Sequence, residues 1–312
     1  MNDAELAVRY RALNESFSRD LVFHLGVNAG FFSEFNNLVL AVLYCLDRKI
    51  KFTLYSADAN FRTRGGWRDF FEPFCPETED VFHHRHNHRW LKIYHPHRKL
   101  GILVLKTLKG LDLLTHDVWR GFKNEAFAAR GFSIPELGIE GGLLDATRVL
   151  HRIIWRYNPK TKAVIEARRA AFGLPERYVG IHVRGGDKST EHEVYEPEKY
   201  IEMAEKVSEI RDAFVLTDDY GYYERLVENQ RDWRLRTSCS PGERGYFHEE
   251  YQRLDAEAKA DRLLTLFAAM DCLAGAEEFV GSYTTNPGMN IGMRLPPERV
   301  HCVDYESWRI SW

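Results

Sequence analysis

Residues 178–191 constrain the fold of this chain more than any other stretch. Tyr178-Val179-Gly180-Ile181 is an apolar run of the length of a buried strand. It empties into a segment that holds His182, Arg184, Gly185, Gly186, Asp187, Lys188 and Glu191. Open α/β sheets bind their ligands at the carboxyl ends of the strands, so charges gathered there mark a candidate site. An arginine beside glycines suits a phosphate: the guanidinium forks onto its oxygens, and glycine lets the backbone come close.

The rest of the chain alternates as such a sheet requires. Ala4 to Phe17 has the pattern of an amphipathic helix, and Leu21 to Leu25 that of a strand. The turn Gly26-Val27-Asn28-Ala29-Gly30 is rich in residues that tolerate unusual dihedrals. Phe35 to Cys45 then reads as a buried helix and Ile50 to Tyr55 as an alternating strand. Strand, glycine turn, helix and strand make a βαβ unit, the start of a Rossmann-like domain. Residues 60–100 are irregular, aromatic and histidine-rich. Helices are predicted over Leu144 to Tyr157 and Thr161 to Phe172, after which Leu174-Pro175 breaks the chain. The domain boundary is therefore set near 173–177, giving domains 1–174 and 175–312. In the second half, strands are predicted at 178–183, Ala213 to Leu216 and Glu278 to Val280. Helices are predicted over Pro197 to Ile210, Tyr222 to Asn229 and Lys259 to Leu273, with another opening at Pro287. Strands alternating with helices predict an α/β fold with mostly parallel sheets covered on both faces.

A length of 312 residues fits two domains of ordinary size, and 44% apolar with 29% charged residues is a globular composition. The formal charge of −3 argues against a general nucleic-acid binder. Cys45, Cys75, Cys239, Cys272 and Cys302 are scattered and odd in number, which fits reduced thiols rather than a disulfide framework. The start lacks the basic and apolar regions of a signal peptide, and no apolar run of ~18 residues could span a bilayer. The expected location is the cytoplasm.

Three strand ends carry polar groups: His182/Arg184/Asp187/Lys188, Asp218/Asp219 and Ser282/Thr284/Thr285. In a parallel sheet all three lie on one rim and could line one cleft. Thr285 or Asn286 is the expected cap of the helix at Pro287, and a helix amino end attracts anions. Each group also has a plain structural reading: the hydroxyls as a cap, the aspartates as a strand-end turn, Arg184 as the ion-pair partner of Asp187. Their coincidence on one rim favours a nucleotide site. His83, His84, His86, His88, His95 and His97 invite a metal, but no carboxylate or cysteine completes a ligand pattern, so none is expected. Trp67, Trp90, Tyr94 and Trp119 are candidates for stacking on sugar rings, or for the core.

His182-Val183-Arg184-x-x-Asp187-Lys188 with a following glutamate resembles the first motif of the fucosyltransferase superfamily, most closely its α1,6 branch. Phe214 to Asp219 is similar to the second motif, and Leu273 to Asn286 to the third, in the same order. Gly30-Phe31-Phe32-Ser33-Glu34-Phe35-Asn36-Asn37 is similar to the family's donor-side glycine loop and first helix. The resemblance implies a GT-B-like architecture, with two Rossmann-like domains facing across a cleft. It implies an N-terminal acceptor-side domain and a C-terminal domain that holds GDP-fucose as donor substrate, with no further cofactor. It places Arg184 on the β-phosphate with Thr284 and Thr285, and Ser282 in the same loop. His182, Asp218 and Asp219 fall at guanine or ribose, and Gly30 on the donor side. Lys188 and Glu191 fall where the family keeps its lysine and catalytic glutamate, with Glu193 and Asp187 as competing bases. The family usually has a second arginine where this chain has Gly185.

Fucosyl transfer expels GDP while the sugar gains oxocarbenium character, so the leaving diphosphate needs positive charge or aimed dipoles. Arg184 and the amino end of the helix at Pro287 can supply both. A carboxylate base typically contributes ~10²–10⁴-fold. The expectation is an inverting, metal-independent transfer to a hydroxyl of an oligosaccharide or polysaccharide. The alternatives are another nucleotide sugar, or a glycan- or nucleotide-binding homologue without catalysis.

Overall fold

The structure, a computed structural model, describes residues 1–89, 96–185 and 195–310. The chain divides into two compact units between Asn158 and Pro159.

The first unit contains α1 (Asp3–Glu15), β1 (Arg19–His24), α2 (Phe31–Asp47), β2 (Ile50–Tyr55), α3 (Val81–His86), α4 (Pro96–Lys109), β3 (Leu113–Leu114), α5 (Thr115–Phe122), α6 (Glu125–Ala128), β4 (Phe132–Ile134), β5 (Ile139–Gly141) and α7 (Leu143–Ile154). β2, β1 and β3 pair in that order as a parallel sheet. Almost every side chain of α2 is buried, because the helix is covered by the sheet on one side and by α5 and α7 on others. At the free edge of β2, the Asn14 side chain bonds the Phe52 N–H at 2.7 Å and the Phe52 carbonyl at 2.9 Å, so α1 closes the sheet as a further strand would.

Two expectations for this half need correction. None of residues 26–30 adopts a positive φ. Gly30 caps α2 at φ −66°, where an added Cβ would meet nothing within 4 Å, so its backbone does not demand glycine. Gly26 is the sterically required residue, since a Cβ there would come within 2.5 Å of Asp58. Part of the stretch read as irregular forms α3 and the start of α4. Trp67 and Trp119 belong to the core, Trp67 stacked on Phe71 at 4.3 Å. Trp90 and Tyr94 lie outside the described residues.

The second unit contains α8 (Pro159–Ala171), β6 (Val179–Val183), α9 (Pro197–Val207), β7 (Asp212–Thr217), α10 (Tyr220–Asn229), β8 (Arg234–Thr237), α11 (His248–Arg253), α12 (Ala256–Gly275), β9 (Glu278–Gly281), α13 (Asn286–Arg294) and β10 (Val300–Cys302). The parallel sheet runs β10-β9-β6-β7-β8. Counted from its first strand, that is the Rossmann order, and the connections reverse direction between β6 and β9. β6 and β7 are buried along their whole length. Each large apolar side chain there contributes about 1.5–3 kcal/mol. Gly180 lets α12 approach β6, because a Cβ would sit 3.0 Å from that of Ala276 and 3.2 Å from Leu273. The outer strand β8 is held by Arg234 and Arg236, which both reach Asp212 on β7. From sequence the domain boundary is set near 173–177; α8 instead groups with the second unit, packing along α12 with Arg168 bonded to Asp261 and Thr265.

Candidate functional site

Register brings the three polar strand ends of the second unit together. Val183 pairs with Thr217, and Ile181 with Val280, so the segments after β6, β7 and β9 leave the sheet on one rim. This rim lies at the point of strand reversal, where open α/β sheets form a crevice.

Asp218 ties that rim together. One carboxylate oxygen accepts from Arg184 Nη1 and from the Tyr246 N–H at 3.0 Å; the other accepts from the Gly185 N–H at 2.8 Å. The Asp218 carbonyl takes the Gly245 N–H at 2.7 Å. Arg184 therefore pairs with Asp218 and also lies 5.6 Å from the Tyr246 ring centre, a cation–π contact. Asp187, the partner considered from sequence, lies outside the described residues, as do Lys188, Glu191 and Glu193. Asp219 is the cap of α10, accepting the Gly221 N–H at 2.8 Å.

Gly185 is buried, and a Cβ there would meet the Tyr222 ring at 2.8 Å. The space beside this backbone position is thus filled by the Tyr222 ring.

Thr285 is the cap of α13: its hydroxyl accepts the Gly288 N–H at 3.1 Å, donates to the Ser282 carbonyl at 2.9 Å and lies 3.4 Å from His182 Nδ1. His182 is fully enclosed. Burial first, then the charge of Arg184, lowers its pKa to about 4, so the ring is neutral at pH 7. Ser282 and Thr284 share a hydroxyl contact at 2.6 Å.

Asp304, just past β10, escaped the sequence reading. Its carboxylate accepts from Ser282 Oγ at 2.7 Å, the Tyr283 N–H at 3.0 Å and the Thr284 N–H at 2.8 Å. It already neutralises part of the anion-attracting backbone before α13. The signal available was an aspartate closing a short apolar run, Val300 to Val303, as Asp218 closes β7.

In the first unit, a second polar cluster sits at the end of β1 and includes His84 and His88 of the predicted histidines, while His95 lies outside the described residues. His24 Nε2 meets Asp58 Oδ2 at 2.8 Å, and His84 Nδ1 meets Asp58 Oδ1 at 2.9 Å. α3 stops at His86, so His88 shares no helix face with His84; its ring lies edge-on to His24 at 4.8 Å. No group of three or more His, Cys, Asp or Glu that could hold a metal ion occurs among the described residues. Gly30 lies in this unit, at the start of α2. Glu34, one turn further, was also missed. Burial pushes its carboxyl up to about 7, although the Val27 and Gly26 N–H groups and Arg89 at 3.6 Å favour its charged form. A lone glutamate inside the apolar run Phe31 to Leu46 was the available clue. An open cavity of about 420 Å³, lined by Arg169, Tyr178 and Cys272 among others, lies at the amino end of β6, away from the polar rim.

Parallel sheets, with an arginine–aspartate pair and a capped helix at the strand reversal of the second, define an α/β protein with a polar rim at the carboxyl ends of its strands. Solved structures it is similar to include fucosyltransferases. An α1,6-fucosyltransferase, NodZ, soaked with GDP-fucose, superposes with a TM-score of 0.53 at 16% identity, covering 89% of this chain and 93% of that one. NodZ from Bradyrhizobium gives 0.53 at 15% identity, covering 90% and 94%. A variant of Arabidopsis thaliana FUT1 in complex with GDP gives 0.50 at 14% identity, covering 93% and 72%. The chain shares their fold. No protein-family model matches the sequence, and no curated protein matches it.

Proposed function

We infer that the chain is a glycosyltransferase that moves fucose from GDP-fucose to a glycan hydroxyl, inverting the anomeric centre without a metal, with an α1,6 linkage as the favoured reading. The observation that carries this is Arg184, held by Asp218 at the strand reversal beside the capped end of α13. The shared fold of GDP- and GDP-fucose-bound fucosyltransferases supports it.

In this reading the diphosphate lies across Arg184 and the Thr284-Thr285 segment that opens α13, with Ser282 behind it. Asp218 acts by fixing the guanidinium, while His182 and Asp219 lie towards guanosine. The bond between the anomeric carbon and the β-phosphate oxygen breaks as the acceptor oxygen attacks from the opposite face. The proton passes to a carboxylate, for which Glu191 is the first candidate and Glu193 and Asp187 the alternatives; Lys188 adds positive charge. Arg184 and the α13 dipole offset the charge that develops on the leaving GDP. The first unit receives the acceptor, and the second the donor.

Calorimetric competition tests the reading: GDP should bind at least ~10-fold more tightly than UDP or ADP, the scale of one lost base contact. Turnover of GDP-fucose should survive EDTA. Equal binding of all three nucleotides, or activity that EDTA removes and manganese restores, would overturn it. The Tyr222-filled space at Gly185 favours one second reading, a nucleotide-binding homologue without catalysis. Slow hydrolysis of GDP-fucose by the pure protein would exclude that.

A further inference from the structure

Asp304 seats a carboxylate where an anionic ligand would otherwise bind. Its Oδ1 accepts the Tyr283 N–H at 3.0 Å and the Tyr305 N–H at 2.9 Å. Its Oδ2 accepts the Thr284 N–H at 2.8 Å and the Ser282 hydroxyl at 2.7 Å. Successive backbone N–H groups of a turn, such as those of Tyr283 and Thr284, form a nest for anions, and this one opens onto the amino end of α13. Parallel pairing sets Cys302 opposite Gly281, so Asp304 leaves the sheet on the same rim as Ser282. The chain thus fills with its own side chain the donors that a phosphate would take.

The charge balance of the rim follows. Arg184 is already paired with Asp218, Asp219 caps α10, and His182 is neutral at pH 7. Among the described residues Asp304 forms no ion pair, so its negative charge is held by N–H and hydroxyl dipoles alone. A rim built only for phosphate affinity would leave those donors open. Like charges brought together weaken binding, and the penalty grows with the charge on the ligand. The phosphates of a nucleotide sugar carry less negative charge than those of the free diphosphate, because the sugar esterifies the terminal phosphate. A triphosphate carries more.

We propose that Asp304 is a specificity-determining residue, whose carboxylate competes with terminal phosphate charge and favours GDP-fucose over free GDP and over GTP. The inference rests on the fucosyl-donor reading, in which the diphosphate lies at the amino end of α13. After transfer the same repulsion acts on GDP, which gains charge when its bond to the anomeric carbon breaks, and it hastens product release. Calorimetry with GDP-fucose, GDP and GTP on the wild type and on Asp304→Asn tests it. The amide keeps an acceptor for the loop and removes the charge. The variant should gain at least ~10-fold in GTP affinity, less in GDP and least in GDP-fucose. A carboxylate that only braces the loop predicts equal losses instead, so equal changes for the three ligands, or a loss for all, would overturn the inference. Wild-type protein gives a measurement that no folding defect can obscure: GTP should bind no more tightly than GDP, and tighter binding of GTP would also overturn it. Arg184→Ala separates the inference from the reading beneath it. Unchanged GDP affinity in that variant would sink both, whereas weakened GDP binding there, with equal shifts in Asp304→Asn, would sink the inference alone.

Discussion

Asp218 receives the Arg184 guanidinium on one carboxylate oxygen and the Gly185 N–H on the other, so the two residues that follow β6 are fixed to the end of β7. The arginine is held in one orientation beside α13. A preorganised charge of this kind stabilises a leaving anion without reorganising during the reaction.

Arg184→Ala should weaken GDP binding by ~10–100-fold, the range expected for charge-assisted hydrogen bonds. Arg184→Lys should fail to rescue it, because an ammonium cannot reproduce the fork that meets both Asp218 and a phosphate. Asp218→Asn should weaken binding less, since the amide keeps one acceptor for Gly185. Calorimetry with GDP reads all three. Unchanged affinity in Arg184→Ala would remove the guanidinium from the site.

Gly185→Arg should destabilise the protein by ~1–3 kcal/mol, because its Cβ meets the Tyr222 ring at 2.8 Å. Combining it with Tyr222→Ala should cost less than the two single changes together. A denaturant-based double-mutant cycle measures that coupling, and additive losses would show that Tyr222 does not fill the position.

Asp304→Ala should cost ~1–3 kcal/mol and loosen the loop 282–284, which loses an acceptor for Ser282, Tyr283 and Thr284. Ser282→Ala removes one of these bonds and should cost less. Urea denaturation ranks the pair, and an Asp304→Ala loss no larger than that of Ser282→Ala would show that the carboxylate does not hold the loop.

Glu34 gives the first unit a pH dependence of definite sign. Its folded pKa, about 7, is above the ordinary 4.5 because burial penalises the carboxylate. Between these values a folded state with Glu34 protonated binds more protons than the unfolded one, so the contribution of Glu34 to stability is full below pH 4.5 and is lost as pH rises to about 7. At full expression the loss is about 3 kcal/mol. Glu34→Gln should flatten the melting temperature over that window. An unchanged slope would mean that Glu34 stays ionised in the folded protein.

Glu191→Gln should lower kcat by ~10²–10⁴-fold with little change in GDP affinity if Glu191 is the base. Glu193→Gln and Asp187→Asn, measured side by side, decide among the three. A collapse of GDP binding in Glu191→Gln would give that residue to the donor site instead.

The amino-acid sequence alone determined the alternation of strands and helices and the polar ends of β6, β7 and β9. Those follow from local rules: apolar runs, glycine and proline breaks, and the Thr285-Asn286-Pro287 cap signature. It did not reveal β3, β4 and β5, which are two or three residues long and too short to show a period. It could not give Arg184 its partner, because Asp218 arrives from a neighbouring strand and only parallel register sets the two side by side. Asp304 was hidden for the same reason, since pairing of β10 with β9 carries it to the hydroxyl loop.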